Sequence, residues 1–335
     1  MKFLLLNRNS ASARRAVIAI ACAAAMLLGV RLAEAETLRI GAQTTGTFAW
    51  ELQVIKARGL DKAAGLDLEI IDLATTEAGK LAILAGSVDI VLSDWLWVSR
   101  ERGLGRKLTF VPYSSALGAI MAPGDRPIRA LADLKGKTLG VAGGPLDKSW
   151  LMLQAFASRS GFDVGRETHV VFGAPPLLAQ KTAQGELDAT LQFWNYCVDL
   201  EQRGFRRVIE MTEVEKGLGA SGPVAMVGYV FDEDFAARNA PALTKFFEIA
   251  RQARGALATD DSLWPDIMAR LGQKDPDATA LYRKRYAEGA PRPVALEETD
   301  AKILFRSLAE VGGAELVGAA AELDPGTFYK SKGGG

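Results

Sequence analysis

Two sets of hydroxyl, amide and indole side chains, each spread over three short segments, carry the chemistry this sequence offers. The first set is Thr44, Thr45, Thr47, Phe48 and Trp50, then Thr75 and Thr76, then Ser93, Asp94 and Trp95. The second is Gly143, Gly144, Asp147, Lys148 and Ser149, then Ala174 and Pro175, then Gln192, Phe193, Trp194 and Asn195. Such groups suit the holding of a small organic solute: flat aromatic surface gives affinity, and a few placed hydrogen bonds fix orientation. An isolated tryptophan is more often a core residue, but Trp95 and Trp194 fall at equivalent places in a repeat described below, which favours the binding reading. The Gly143-Gly144 loop, where it opens a helix, can present N–H groups to a sulfonate or carboxylate, with Lys148 assisting. Asp94 and Asp147 lie in the same loops and no arginine does. A small inorganic anion is therefore disfavoured, and a neutral or weakly cationic organic molecule is preferred narrowly over an organic anion.

Catalytic patterns are scarce. His169 is the single histidine, and it opens an apolar run, His169-Val170-Val171-Phe172, with no serine or cysteine partner near it in sequence. There is no G-x-S-x-G elbow, H-E-x-x-H pair or Cys/His metal spacing. Gly217-Leu218-Gly219-Ala220-Ser221-Gly222 matches G-x-G-x-x-G by letter. Dinucleotide binding requires a strand before those glycines and a helix after them; here charged residues precede and Pro223 leads into a strand, so the segment reads as a flexible crossover. Gly136-Lys137-Thr138 resembles the end of a phosphate-binding loop, but Leu131 stands where the earlier glycine is required. The expectation is a binding protein, not an enzyme, with no cofactor and no metal.

The elements that would position the two sets alternate. Thr37–Ala42 reads as a strand, Ala49–Arg58 as a helix stopping at Gly59, Leu66–Ile70 as a strand by its period of two, Glu77–Ala85 as a helix and Ser87–Leu92 as a third strand. Strands alternating with helices imply parallel β-α-β units, and ligands of open α/β sheets bind beyond the carboxyl ends of the strands. The arrangement recurs 99 residues later: Ile40-Gly41 matches Leu139-Gly140, Gly86-Ser87-Val88-Asp89-Ile90 matches Gly185-Glu186-Leu187-Asp188-Ala189, and Trp95 matches Trp194. Two similar α/β lobes of about 100 residues follow. The turn-rich Pro123–Pro127 after the apolar strand Ala119–Ala122 is read as the first crossover. Lobe I is then 36–122 plus 223–329, and lobe II is 123–222 with both crossovers. Helices at Pro241–Ala258, Ser262–Leu271, Pro276–Tyr286 and Leu296–Val311 are expected to pack around lobe I, and 330–335 to form a disordered tail.

Residues 1–35 read as a secretory signal cleaved before Glu36: Arg14-Arg15, an uncharged run from Ala16 to Val30, and Ala33-Glu34-Ala35. That run of 15 is short of the roughly 20 residues of a membrane span. Five basic and one acidic residue leave with it from 40 of each, giving a net charge of −4. Nothing in that balance favours nucleic acid or an anionic membrane. Only Cys197 remains, so no intrachain disulfide can form, and a buried, inert thiol is expected. The mature chain is expected to be a monomer in the periplasm.

Several of these stretches together carry a family resemblance: the signal, Leu38-Arg39-Ile40-Gly41, Gly59-Leu60, Gly86–Ile90, Leu131-Ala132-Asp133-Leu134-Lys135-Gly136-Lys137, Gly143-Gly144 and Gly185–Ala189. Over roughly residues 36 to 230 the chain resembles the periplasmic binding proteins of ABC importers for nitrate, sulfonates, taurine and thiamine-pyrimidine precursors. The resemblance implies a type II solute-binding fold, with a sheet flanked by helices in each lobe, two crossovers, a ligand in the cleft and closure upon it. Delivery to the permease subunits of an ABC importer is implied as well. A sensor subunit of the same fold is an alternative. A second is an enzyme making the thiamine pyrimidine, a chemistry resting on histidine, a cofactor lysine and clustered cysteines, for which this chain has one His and one mature Cys.

Overall fold

The computed structural model describes residues 35–273, 275–318, 320 and 322–330. The expected signal sequence up to residue 34, and 331–335 of the expected tail, lie outside the described residues. The chain opens β1 (Glu36–Gln43), α1 (Phe48–Ala57), α2 (Leu60–Ala63), β2 (Leu66–Leu73), α3 (Thr76–Leu84), β3 (Ile90–Asp94), α4 (Trp95–Gly103) and β4 (Leu108–Ser114). It continues with β5 (Gly118–Pro123), a 3-10 turn at Leu131–Leu134, β6 (Thr138–Ala142), α5 (Lys148–Ser158), α6 (Val164–Glu167), β7 (His169–Gly173), α7 (Pro175–Ala183), β8 (Ala189–Phe193), α8 (Trp194–Gln202), β9 (Phe205–Glu210) and α9 (Met211–Gly217). After β10 (Val227–Asp232) come α10 (Glu233–Arg238), α11 (Ala240–Thr259), α12 (Trp264–Arg270), α13 (Pro276–Glu288) and α14 (Val294–Val317).

Two five-stranded sheets result, ordered β2-β1-β3-β10-β4 and β7-β6-β8-β5-β9. They have one plan. Three parallel strands are followed by an antiparallel strand, β10 or β5, delivered from the other lobe. The free side of β4 is met by the chain end, where Phe328 bridges Phe110.

The repeated Gly-x-apolar-Asp motif has one structural job in both lobes. The Asp89 carboxylate accepts the Arg39 N–H of β1 at 2.8 Å, and Asp188 accepts the Thr138 N–H of β6 at 2.9 Å. Each aspartate also takes an arginine, Arg39 and Arg126 respectively, at 2.5 Å. The aspartate before the third strand thus ties that strand to the first through a charge-assisted bond.

Two expectations need correction. Ala119–Ala122 belongs to β5 in the second sheet, paired with β8 and β9, so the first crossover is Ser115–Leu117 and not Pro123–Pro127. Turn composition drew attention to the wrong end of the strand. Gly118 marks the true passage: its φ is +129°, and a Cβ there would stand 1.9 Å from the Gln192 carbonyl oxygen, which only glycine avoids. The C-terminal helices do not keep to lobe I. α14 packs on both α4 and α5, and α13 on both α11 and α8, so the two lobes are braced on either side of the crossovers.

Candidate functional site

The carboxyl ends of β3 and β8 lie beside the passages between the lobes: Asp94 pairs with Val227, where β10 begins, and Phe193 with Gly118, where β5 begins; β1 and β6 run parallel beside them. Helix starts follow each. Asp94 caps α4 by accepting the Trp97 N–H at 2.8 Å, Asp147 caps α5 by accepting the Ser149 N–H at 2.9 Å, and Thr75 caps α3 through the Ala78 N–H at 3.1 Å. Such caps satisfy otherwise orphaned N–H groups.

Most of the residues singled out in the sequence have internal partners. Thr76 Oγ1 accepts from Gln43 at 2.8 Å. Gln192 donates to the Pro175 carbonyl at 2.7 Å, and its own oxygen accepts the Phe193 N–H at 3.2 Å. Phe48 is buried edge-on against Tyr113 and Tyr229. Thr44 and Thr45 are exposed in the turn after β1. Burial pushes up the hydroxyl of Tyr196 in α8, with Thr45 nearby. Gly143 and Gly144 lie in the loop before α5, and Asn195 is buried in the first turn of α8. Trp50 and Trp194 meet across the lobes at 5.9 Å, edge to face, within a group that includes Trp264, Tyr282 and Tyr286. Trp95 is fully buried in a separate apolar cluster with residues of α4, α5 and α14.

Three of the singled-out residues stand apart. The Ser93 hydroxyl, the Trp95 indole N–H and the Ser149 hydroxyl are buried without a hydrogen-bond partner. Native structures pair most buried polar atoms, so an orphan asks for a reason. Two lie at the β3 end of lobe I and one at the start of α5 in lobe II, the strand ends where a solute would sit.

Charge at these ends is balanced. Lys148 Nζ lies 3.8 Å from Asp147 and 5.6 Å over the Phe193 ring. Lys80 Nζ lies 3.0 Å from Glu77, 3.9 Å from Asp94 and 5.6 Å over the Trp97 ring. Lys80, Trp97 and Tyr196 were not singled out in the sequence. Lys80 was within reach, since it follows Thr76 by one helical turn and so shares its face.

The remaining reactive side chains are scattered. His169 is exposed at the start of the edge strand β7. Cys197 is buried against the carbonyls of Ala119 and Gln192, and burial pushes its thiol up to about 12. Among the described residues no group of three or more His, Cys, Asp or Glu side chains is arranged to hold a metal ion, and no helix is long and apolar enough to cross a membrane. A groove of about 430 Å³ lies away from these strand ends, between α12 and α13.

Residues 52–260, more than half of the chain, match the NMT1/THI5-like family. The chain belongs to the NMT1/THI5-like family. The match runs from within α1 to the end of α11 and takes in both crossovers; α12 and the bracing helices α13 and α14 lie beyond it. No curated protein matches the chain. Solved structures share the fold of this NMT1/THI5-like chain. The alkanesulfonate-binding protein SsuA of Xanthomonas axonopodis pv. citri, bound to MOPS, is 19% identical with a TM-score of 0.65, over 87% of this chain and 96% of that one. The periplasmic aliphatic sulphonate binding protein SsuA of Escherichia coli is 16% identical with a TM-score of 0.68, over 89% and 94%. The Candida albicans CA3427 gene product, described as having the generic periplasmic binding protein fold, is 12% identical with a TM-score of 0.60, over 88% and 98%.

Proposed function

We propose that this protein is a periplasmic solute-binding component that holds a small organic molecule between its lobes and delivers it to an ABC-type importer. The observation carrying this reading is the set of buried orphan atoms, Ser93 Oγ, Trp95 Nε1 and Ser149 Oγ, at the strand ends of the two lobes. A bound solute gives each a partner. The NMT1/THI5-like membership and the shared fold support the same role. The separation of His169 on an exposed strand from the buried, weakly acidic Cys197 supports a binding protein rather than an enzyme. Because each lysine at the strand ends has a carboxylate beside it, the favoured solute is neutral or weakly cationic.

The test begins with native mass spectrometry of protein purified from its own periplasm. The retained or matched solute, or failing that a panel of neutral, cationic and sulfonate nutrients, is then titrated calorimetrically. The wild type should be stabilised by about 2.7 kcal/mol at a hundredfold excess over Kd. Ser149→Ala and Ser93→Ala should weaken binding about tenfold, the worth of one hydrogen bond near 1.4 kcal/mol. Neither should lower the melting temperature of the empty protein, because each removes a hydroxyl that has no partner there. Full affinity in both variants places the solute elsewhere.

A further inference from the structure

The return crossover, residues 218–226, is strapped to the C-terminal helix by buried carboxylates. Asp300 accepts the Ser221 N–H at 3.0 Å and the Ser221 hydroxyl at 2.7 Å. Glu297 accepts the Ala225 N–H at 2.7 Å and the Arg292 N–H at 2.8 Å. Glu215, from the last helix of lobe II, accepts the Val224 N–H at 3.4 Å through one oxygen, and its other oxygen has no partner. Glu215 and Glu297 are wholly buried and Asp300 nearly so. The glycines around the strap are set by this packing: Gly219 has φ +107°, and a Cβ on Gly222 would stand 2.9 Å from the Arg292 guanidinium.

One cation serves this cluster, and it reaches two of the three carboxyl groups. Arg292 pairs with Asp300 at 2.7 Å and leans on Glu297 at 3.7 Å. Two N–H bonds hold the Glu297 charge, whereas Glu215 has one long bond, and an ionised carboxylate so poorly solvated is costly to bury. Other charges around Glu215 are committed elsewhere. At the carboxyl end of α5, Arg159 donates to the Gly217 carbonyl and to Ser307. On β9, Arg207 pairs with both Glu201 and Glu210. β5 carries no charge, and Glu213 and Lys216 on α9 itself point to solvent.

We infer that the return crossover is a proton-gated hinge, clamped while Glu215 holds a proton and released when it ionises beside Glu297. Burial above all, and then the neighbouring Glu297, raise the Glu215 carboxyl well above its ordinary range; burial raises Glu297 too. The sign follows from linkage. The clamped state binds a proton that the free acid gives up above its ordinary pKa. The clamp therefore weakens as pH climbs from that value towards the raised one.

The experiment is small-angle scattering of the whole mature protein without added solute, from about pH 5 to about pH 9. The wild type should expand on going to high pH while it stays folded by circular dichroism. Glu215→Gln, which keeps the shape of the neutral acid, should stay compact throughout. Its melting temperature should match that of the wild type at the acid end and exceed it at the alkaline end. Equal expansion in both proteins overturns the assignment, as does a wild type of constant radius. Should E215Q fail to fold, the infrared carbonyl band of a protonated carboxyl, followed through the same titration of the wild type, decides instead. Its loss in step with the expansion upholds the hinge, and its absence at neutral pH refutes it. None of these readings needs a solute, so they stand or fall apart from the binding role.

Discussion

Trp194→Ala is expected to lower the stability of the empty protein by about 3 to 5 kcal/mol, the cost of removing a large buried aromatic side chain. Trp194 is 8% exposed and touches Trp50, Tyr282 and Tyr286 at ring distances of 5.9 to 6.4 Å. Each such pair adds about 0.5–1.5 kcal/mol beyond the area it buries. The backbone reinforces the position, because the Trp194 N–H donates to the Leu117 carbonyl of the first crossover at 3.1 Å. Trp194 therefore joins lobe II to the aromatic residues of α1 and α13 at the hinge itself. Chemical denaturation measures the loss. A change below about 1 kcal/mol, accompanied by weaker solute binding, would show instead that the ring serves the solute.

The second large effect concerns Glu51, a carboxylate of α1 with no exposure. Its oxygens accept from Tyr229 at 3.2 Å, from Arg254 at 3.2 Å and from Tyr286. Arg254 also donates to the Tyr113 carbonyl at 2.5 Å and lies 4.4 Å over the Tyr113 ring. Burial, then the charge of Glu51, holds the Tyr229 and Tyr286 hydroxyls well above their ordinary range, so they remain donors. Arg254→Ala leaves the carboxylate buried with two phenols alone and should cost about 3 kcal/mol or more. Replacing Glu51 and Arg254 together by methionine should recover most of that loss, since an apolar pair removes the stranded charge. A double variant no more stable than Arg254→Ala would refute the ion-pair account.

The alternation of strands and helices and the 99-residue repeat were legible because both arise from local, periodic demands: parallel sheets need crossover helices, and each third strand needs its aspartate tie. The first crossover was misplaced because a three-residue passage, Ser115–Leu117, has no composition to advertise it, whereas the turn at Pro123–Pro127 does. Among the candidate site residues, type and position alone did not separate Gln192, whose amide is bonded within its own lobe, from Ser149, whose hydroxyl lacks a partner. That difference depends on which neighbours folding brings close. The two bracing helices show the same limit. Their apolar faces were visible at helical spacing, but not that each lies against both lobes.

The place of β10 has a consequence for the order in which the chain can assemble. The second sheet is built from residues 118–210 without interruption, so it is complete once that stretch is available. In the first sheet β3 and β4 share no hydrogen bonds; both await β10, more than a hundred residues further along. Ladders closed over long separations form late, because the loop must be ordered before its contacts reward it. Pulse-labelled hydrogen exchange during refolding should therefore find the amides of β6 and β8 protected ahead of those joining β4 to β10. A chain emerging from its amino end carries a half-made first sheet, with β3 and β4 unjoined, while a later segment finishes ahead of it.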